Sequence, residues 1–180
     1  MAEDANIQME DFMSKVLSAV GKTTDEELSD TLKKNKLTVA VAESLTGGLI
    51  SERLSSSPGA SEFFVGGIVC YTNRIKVMEL GIPAAVIAKD GPVNETVATV
   101  LAENIRKKFR TSIGLSATGV AGPATVSPPK PIGLTYVAIS SEKGSLCREL
   151  SLQGSRKEIR EKAAQAALGL LWMHLTGQEI

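Results

Sequence analysis

The chain has 180 residues, 43% of them apolar, enough for one core of ordinary size and short for two. Its 20 Lys+Arg and 20 Asp+Glu cancel to a formal charge of zero, so nothing global favours a polyanionic partner such as DNA or RNA, and any anion site has to be local. No apolar run approaches the roughly 20 residues of a membrane span, and the acidic, mixed opening MAEDANIQMEDFMSKV has neither the basic nor the apolar region of a secretory signal.

From Asp11 to about Asn35 the apolar residues Phe12, Val16, Leu17, Val20, Leu28 and Leu32 recur at helical spacing, with a break at Gly21-Lys22-Thr23-Thr24. One or two leading helices are expected, residues 1–29 forming an N-terminal extension and 30–180 a single α/β domain. Lys36 to Ala42 is a strand by its β-branched and apolar run, and Leu49, Ile50 and Leu54 return to a helical period. Ser44 therefore falls in a strand-to-helix turn.

Ser55 to Ser61 is a loop by composition, Phe63 to Tyr71 a second strand, and Asn73 caps a short helix through Leu80 that ends at Gly81-Ile82-Pro83. Asn94 to Lys108 is a helix, capped by Asn94, with Val97, Val100, Leu101 and Ile105 facing a core. Thr111 to Ala117 is a third strand, followed by the turn Thr118-Gly119-Val120-Ala121-Gly122-Pro123. The stretch from Pro123 to Pro131 holds four prolines, too many for regular structure, and is expected as a loop beside a site. Ile132 to Ser140 and Ser145 to Leu152 form a hairpin around Glu142-Lys143-Gly144, and Ser155 caps a long helix from Arg156 to His174. This order predicts a three-layer α/β/α sandwich on a mixed β-sheet.

The chemistry concentrates in two segments that come directly after strands, Ala42-Glu43-Ser44-Leu45-Thr46-Gly47-Gly48 and Tyr71-Thr72-Asn73-Arg74-Ile75-Lys76. A serine hydroxyl in a strand-to-helix turn and a lysine in the first turn of the next helix meet if the two strands are parallel neighbours. Such a pair supplies nucleophile and base where histidine is scarce, and His174, the chain's one histidine, sits on the last helix among Leu168, Leu171 and Leu175, where packing or exposure explains it. Lys76 acts as a base near neutral pH only if its pKa is pulled down from about 10.4. Tyr71 is placed to hydrogen-bond it or relay a proton. The alternatives are a helix-capping Ser44 or Thr46 and a solvated surface lysine.

Around this pair, the amides after Ser44 at the start of a helix are candidates for an oxyanion site, and Gly47 and Gly48 would let a ligand come close. Thr46 and Gly47 are thus candidate binding residues. Glu43 either orients Lys76 or a substrate hydroxyl, or is an ordinary charge at a sheet edge. Thr118 and Gly119 would offer a hydroxyl and backbone N–H groups to an anion or carbonyl, unless the turn is a plain connection. Arg156 sits where a phosphate could meet a guanidinium and helix amides, or is simply a surface arginine. Cys70 and Cys147 stand in apolar surroundings without CxxC spacing, which fits buried thiols in a reducing, cytoplasmic setting. No metal-ligand pattern is present, and no cofactor is expected.

Taken in order, AESLTGG, the Gly59-Ala60-Ser61 of the loop, YTNRIK, ATGVAGP, Gly133-Leu134-Thr135-Tyr136-Val137 and GSRKEIR resemble the CinA C-terminal domain family, from about residue 30 to the end. The resemblance implies a metal-independent amidohydrolase that converts nicotinamide mononucleotide to nicotinate mononucleotide and ammonia. It assigns Ser44 as nucleophile, Lys76 as base and Tyr71 as its partner, with Ser61, Thr118, Gly119 and Arg156 around substrate and Arg156 near the phosphate. It further implies a stand-alone form without the larger N-terminal domain of longer members. Apolar strand edges and the long last helix make a homodimer the expected assembly.

Overall fold

Small and branched residues alternate through Val39–Glu43, and this alternation sorts the molecule into layers. In the computed structural model, which describes residues 25–124 and 126–177, this strand, β1, is buried along its whole length. Val39 and Val41 pack into one core and Ala40 and Ala42 into another, as expected of a strand covered on both faces. The remaining elements are helix α1 (Asp25–Lys34), α2 (Leu49–Ser55), a 3₁₀ turn Ala60–Glu62, β2 (Phe64–Val69), α3 (Asn73–Leu80), α4 (Ala84–Asp90), α5 (Glu95–Phe109), β3 (Ile113–Gly119), β4 (Leu134–Ser141), β5 (Gly144–Ser151) and α6 (Arg156–Thr176).

The five strands form one sheet in the order β2-β1-β3-β4-β5. β1 is parallel to both β2 and β3, while β4 runs antiparallel to β3 and β5 antiparallel to β4. Val39 and Val41 face α1, α2 and α6, the last apolar nearly all round from Ala163 to Leu171. Ala40 and Ala42 face α3, α4 and α5 through Leu80, Ile82, Ile87, Val97, Leu101 and Ile105. The result is the α/β/α sandwich on a mixed sheet that the element order predicts.

Close approach of α5 to the sheet depends on Gly114 in β3, where a Cβ would sit 2.0 Å from Ala102 O and 2.7 Å from Arg106 Cβ. Nothing larger than glycine fits there. Helix α5 begins at its Asn94 cap, whose Oδ1 accepts from Val97 N at 2.8 Å. Helix α6 opens on a capping box between Ser155 and Glu158.

Several boundaries differ from the sequence reading. β3 lies two residues further along than Thr111 to Ala117, and α3 is capped by Thr72, whose Oγ1 accepts from Ile75 N, with Asn73 inside the helix. Helix α4 has no counterpart in that reading: it starts after Pro83 and buries only Ile87, so it carries no apolar stripe. The leading segment before Asp25 lies outside the described residues. Among the described residues no helix is long and apolar enough to cross a membrane, and no group of three or more His, Cys, Asp and Glu side chains could hold a metal ion.

Candidate active site

Neighbouring parallel strands all end at one edge of the sheet, so the turns after them gather there. Ser44 comes just after β1 and is held at that edge by its N–H, which donates to Ala117 O of β3 at 2.9 Å. On the other side of β1, Cys70 N donates to Glu43 O at 2.8 Å and continues the β1–β2 pairing. The chain then turns through Tyr71 and Thr72 into α3, and Lys76 points back from its first turn to the strand ends. Its Nζ lies 2.9 Å from Ser44 Oγ and donates to Cys70 O at 2.8 Å.

Lys76 is 1% exposed, an unusual place for an amine. Among the described residues no carboxylate lies within ion-pair distance of it. Burial therefore pulls its pKa below the ordinary lysine value, opposed only by Cys70. A neutral amine against a serine hydroxyl can accept that hydroxyl's proton while still donating to Cys70 O. The same burial pushes the Cys70 thiol up, and its Sγ donates weakly to Glu43 O at 3.4 Å.

The pair opens into a cleft of about 660 Å³ including its mouth. Tyr71, Thr118, Gly119 and Arg156 line it together with Ser44 and Lys76, and so do Ala124 and Val126 of the proline-rich loop. That loop runs beside the site, as expected. Arg156, the first residue of α6, bridges two walls: Nη1 donates to Gly122 O and Nη2 to Tyr71 Oη at 2.7 Å. Tyr71 is 55% exposed; its hydroxyl partner is Arg156, whereas the partners of Lys76 Nζ are Ser44 and Cys70. The direct Tyr71–Lys76 contact anticipated from sequence is not formed. Thr118 Oγ1 donates to Pro92 O at 3.0 Å, and Val120 N donates to Leu134 O at 2.9 Å, so the hydroxyl proton and this amide of the glycine turn are already engaged.

Four expected binding residues lie elsewhere. Glu43 faces away from the cleft: its carboxylate accepts from Gly48 N, Ile50 N, Ser51 N and Ser51 Oγ at 2.6–3.1 Å. It occupies the positive end of α2, so that helix end is closed to an oxyanion. The N–H groups of Leu45, Thr46 and Gly47 have no backbone acceptor among the described residues, and of these three residues Leu45 is the one that lines the cleft. Thr46 is wholly buried, outside the cleft lining, and its Oγ1 has no hydrogen-bond partner among the described residues. Gly47 adopts φ +61° and packs against Arg160. Ser61 sits in the 3₁₀ turn before β2, at the opposite edge of the sheet; along the 6 residues of β2 that is roughly 20 Å away.

Arg160 closes the GSRKEIR motif, but the sequence reading assigns it no role. One turn past Arg156 on α6, it donates from Nε to Leu45 O at 2.9 Å and from Nη2 to Thr46 O at 2.8 Å. The available signals were its place in that motif and its spacing of four from Arg156.

Layers and cleft together define a three-layer α/β domain that holds a buried serine–lysine pair at the C-terminal edge of its parallel strands. The chain matches the CinA C-terminal domain family over residues 21–175, and it belongs to that family. A CinA-like protein of Gemmatimonas aurantiaca is 47% identical over 135 residues, covering 75% of this chain and 32% of that protein. The chain spans about a third of the length of such relatives. Among solved structures, a competence/damage inducible protein, CihA, from Agrobacterium tumefaciens is 31% identical with TM-score 0.77, covering 84% of this chain and 95% of that one. A competence or damage-inducible protein from Enterobacter asburiae is 26% identical with TM-score 0.81, over 86% and 99%.

Proposed function

We propose that this chain is a metal-independent amidohydrolase that converts nicotinamide mononucleotide to nicotinate mononucleotide and ammonia. The observation that carries the reading is the buried Lys76, without a carboxylate partner among the described residues, with its Nζ 2.9 Å from Ser44 Oγ. Burial lowers the pKa of this amine and so makes it a better base near neutral pH, and Ser44 Oγ is, among the described residues, the side-chain hydroxyl hydrogen-bonded to it.

In the proposed sequence Ser44 Oγ attacks the carboxamide carbon as its proton passes to Lys76 Nζ. The Leu45 N–H supports the developing oxyanion. Lys76 then delivers the proton to the departing nitrogen, which leaves as ammonia, and an ester of Ser44 remains. Water, deprotonated by the same amine, hydrolyses that ester to the carboxylate and restores Ser44. Arg156 faces the same cleft, and its guanidinium suits the phosphate of a mononucleotide. Choice of this amide over others rests on the family resemblance.

The test is ammonia release from nicotinamide mononucleotide by purified protein, beside Ser44→Ala and Lys76→Ala. Turnover that both substitutions abolish while folding survives supports the reading. Saturable nucleotide binding without turnover would replace it with a binding module.

A further inference from the structure

The turn that carries the nucleophile has to be held without help from its own helix. Gly48 at the start of α2 gives no side-chain cap, and α2 itself is only 7 residues long. Two side chains divide the work of fixing residues 44–51. Glu43 takes the donors, accepting from the amides of Gly48, Ile50 and Ser51. Arg160 takes the acceptors, since its Nε and Nη2 hold the carbonyls of Leu45 and Thr46. Leu45 and Thr46 are both buried, so among the described residues the Leu45 carbonyl would lack a partner without Arg160 and the Thr46 carbonyl would keep only a long 3.4 Å bond from Leu49 N. Buried carbonyls do not stay so unsatisfied without cost.

Resting on the amidase reading above, we propose that Arg160 is the positioning residue of the nucleophile turn, acting on the chemical step through Ser44 and Leu45 and not on substrate. The guanidinium pins the Leu45–Thr46 peptide and its successor. This fixes residue 45 between two anchored ends, Ser44 N on β3 and Leu45 O on α6, and so aims both Ser44 Oγ and the Leu45 N–H. Arg160 is absent from the cleft lining, whereas Arg156, four residues earlier on the same face of α6, is part of it. One helix thereby presents one arginine to the ligand side and one to the nucleophile side.

A second observation points to the same place. At Gly47, φ is +61° and a Cβ would sit 3.1 Å from Arg160 Nη2, so the turn lies directly against the guanidinium. Lysine cannot replace this contact. Its single ammonium lacks the planar fork that meets two adjacent carbonyls from one edge.

The experiment compares wild type, Arg160→Lys and Gly47→Ala by kcat and KM on nicotinamide mononucleotide, folded fraction by thermal unfolding, and rate of Ser44 labelling by a small fluorophosphonate. The labelling reaction, in which Ser44 Oγ displaces fluoride, is read by intact mass with Ser44→Ala as blank. In Arg160→Lys, kcat and labelling rate are each expected to fall at least about 30-fold, with KM within about threefold of wild type. Gly47→Ala should move both in the same direction. Wild-type kcat and labelling in Arg160→Lys overturn the proposal, as does a loss that merely tracks the unfolded fraction or appears in KM. Because labelling needs no amide substrate, wild-type protein that is labelled at Ser44 but releases no ammonia counts against the amidase reading alone.

Discussion

Lys76 Nζ lies 2.9 Å from Ser44 Oγ, although the two residues are 32 apart in sequence and reach each other from the ends of different strands. The contact exists because β1 and β2 are parallel neighbours: both strands end at the same edge, and one helical turn brings the lysine back over it. A lysine buried to this degree costs stability, since no carboxylate among the described residues neutralises it, and such a cost is commonly retained at a site of chemistry.

Serine and lysine acting as a unit should fail as a unit. Ser44→Ala and Lys76→Met are each expected to lower kcat at least about 10³-fold, and the double variant to be no worse than the more damaging single one. Steady-state ammonia release from the four proteins checks this. Multiplicative losses would mean that the two side chains act independently.

Activity should depend on pH in the direction set by a base. Lys76 works in its neutral form, so kcat/KM is expected to rise with pH and level off above an apparent pKa below the ordinary lysine value, because burial lowers that pKa. Stability depends on the same proton. In the unfolded chain Lys76 keeps its proton up to about 10.4, whereas in the folded protein it gives it up earlier, so between the two values the unfolded state binds more protons and stability rises with pH. Lys76→Met removes the penalty: its melting temperature should exceed that of wild type at pH 7, and the gap should narrow as pH climbs toward the unfolded value. Thermal unfolding across that range reads it. A gap that widened with pH would contradict a buried, depressed amine.

Strand direction made most of the site legible. Ser44 and Lys76 come after β1 and β2, and Thr118 stands at the end of β3; all three strands run the same way, so a reader who places them side by side has placed the site. The same rule, applied more strictly, would have excluded Ser61, which precedes β2 and so falls at the other edge. Glu43 was harder. A carboxylate beside a serine reads as part of the chemistry until the α2 amides are seen converging on it, and that depends on where the chain turns after Gly47. Arg160 was hidden by distance: its acceptors are 114 and 115 residues away in sequence, and a backbone carbonyl carries no signature in the identity of its residue. Helix α4 escaped because seven residues that bury one side chain show no period.

Glu43 as a helix anchor gives a different prediction from Glu43 as a substrate ligand. Glu43→Gln keeps the shape but loses the charge that three amides and a hydroxyl share, and is expected to cost about 1–3 kcal/mol. At about 2–4 °C per kcal/mol for a domain of this size, that is a visible fall in melting temperature. KM should remain within about twofold. Ser61→Ala, at the far edge, should leave stability within about 0.5 kcal/mol and turnover unchanged. Calorimetry with parallel kinetics separates the cases, and a large KM effect from either substitution would return that residue to the cleft.

Arg156 supplies the last test, because its present partners can be exchanged. Its two hydrogen bonds, to Gly122 O and Tyr71 Oη, are to neutral acceptors, and a phosphate entering the cleft offers charged oxygens that bind a guanidinium about twice as strongly. The nucleotide's phosphate is therefore expected to draw Arg156 from Tyr71, freeing the tyrosine hydroxyl next to the site. Arg156→Gln should raise KM for nicotinamide mononucleotide about tenfold or more. It should leave any turnover of the corresponding riboside, which has no phosphate, nearly unchanged. An equal effect on both substrates would mean that Arg156 holds the walls of the cleft together and does not meet the phosphate.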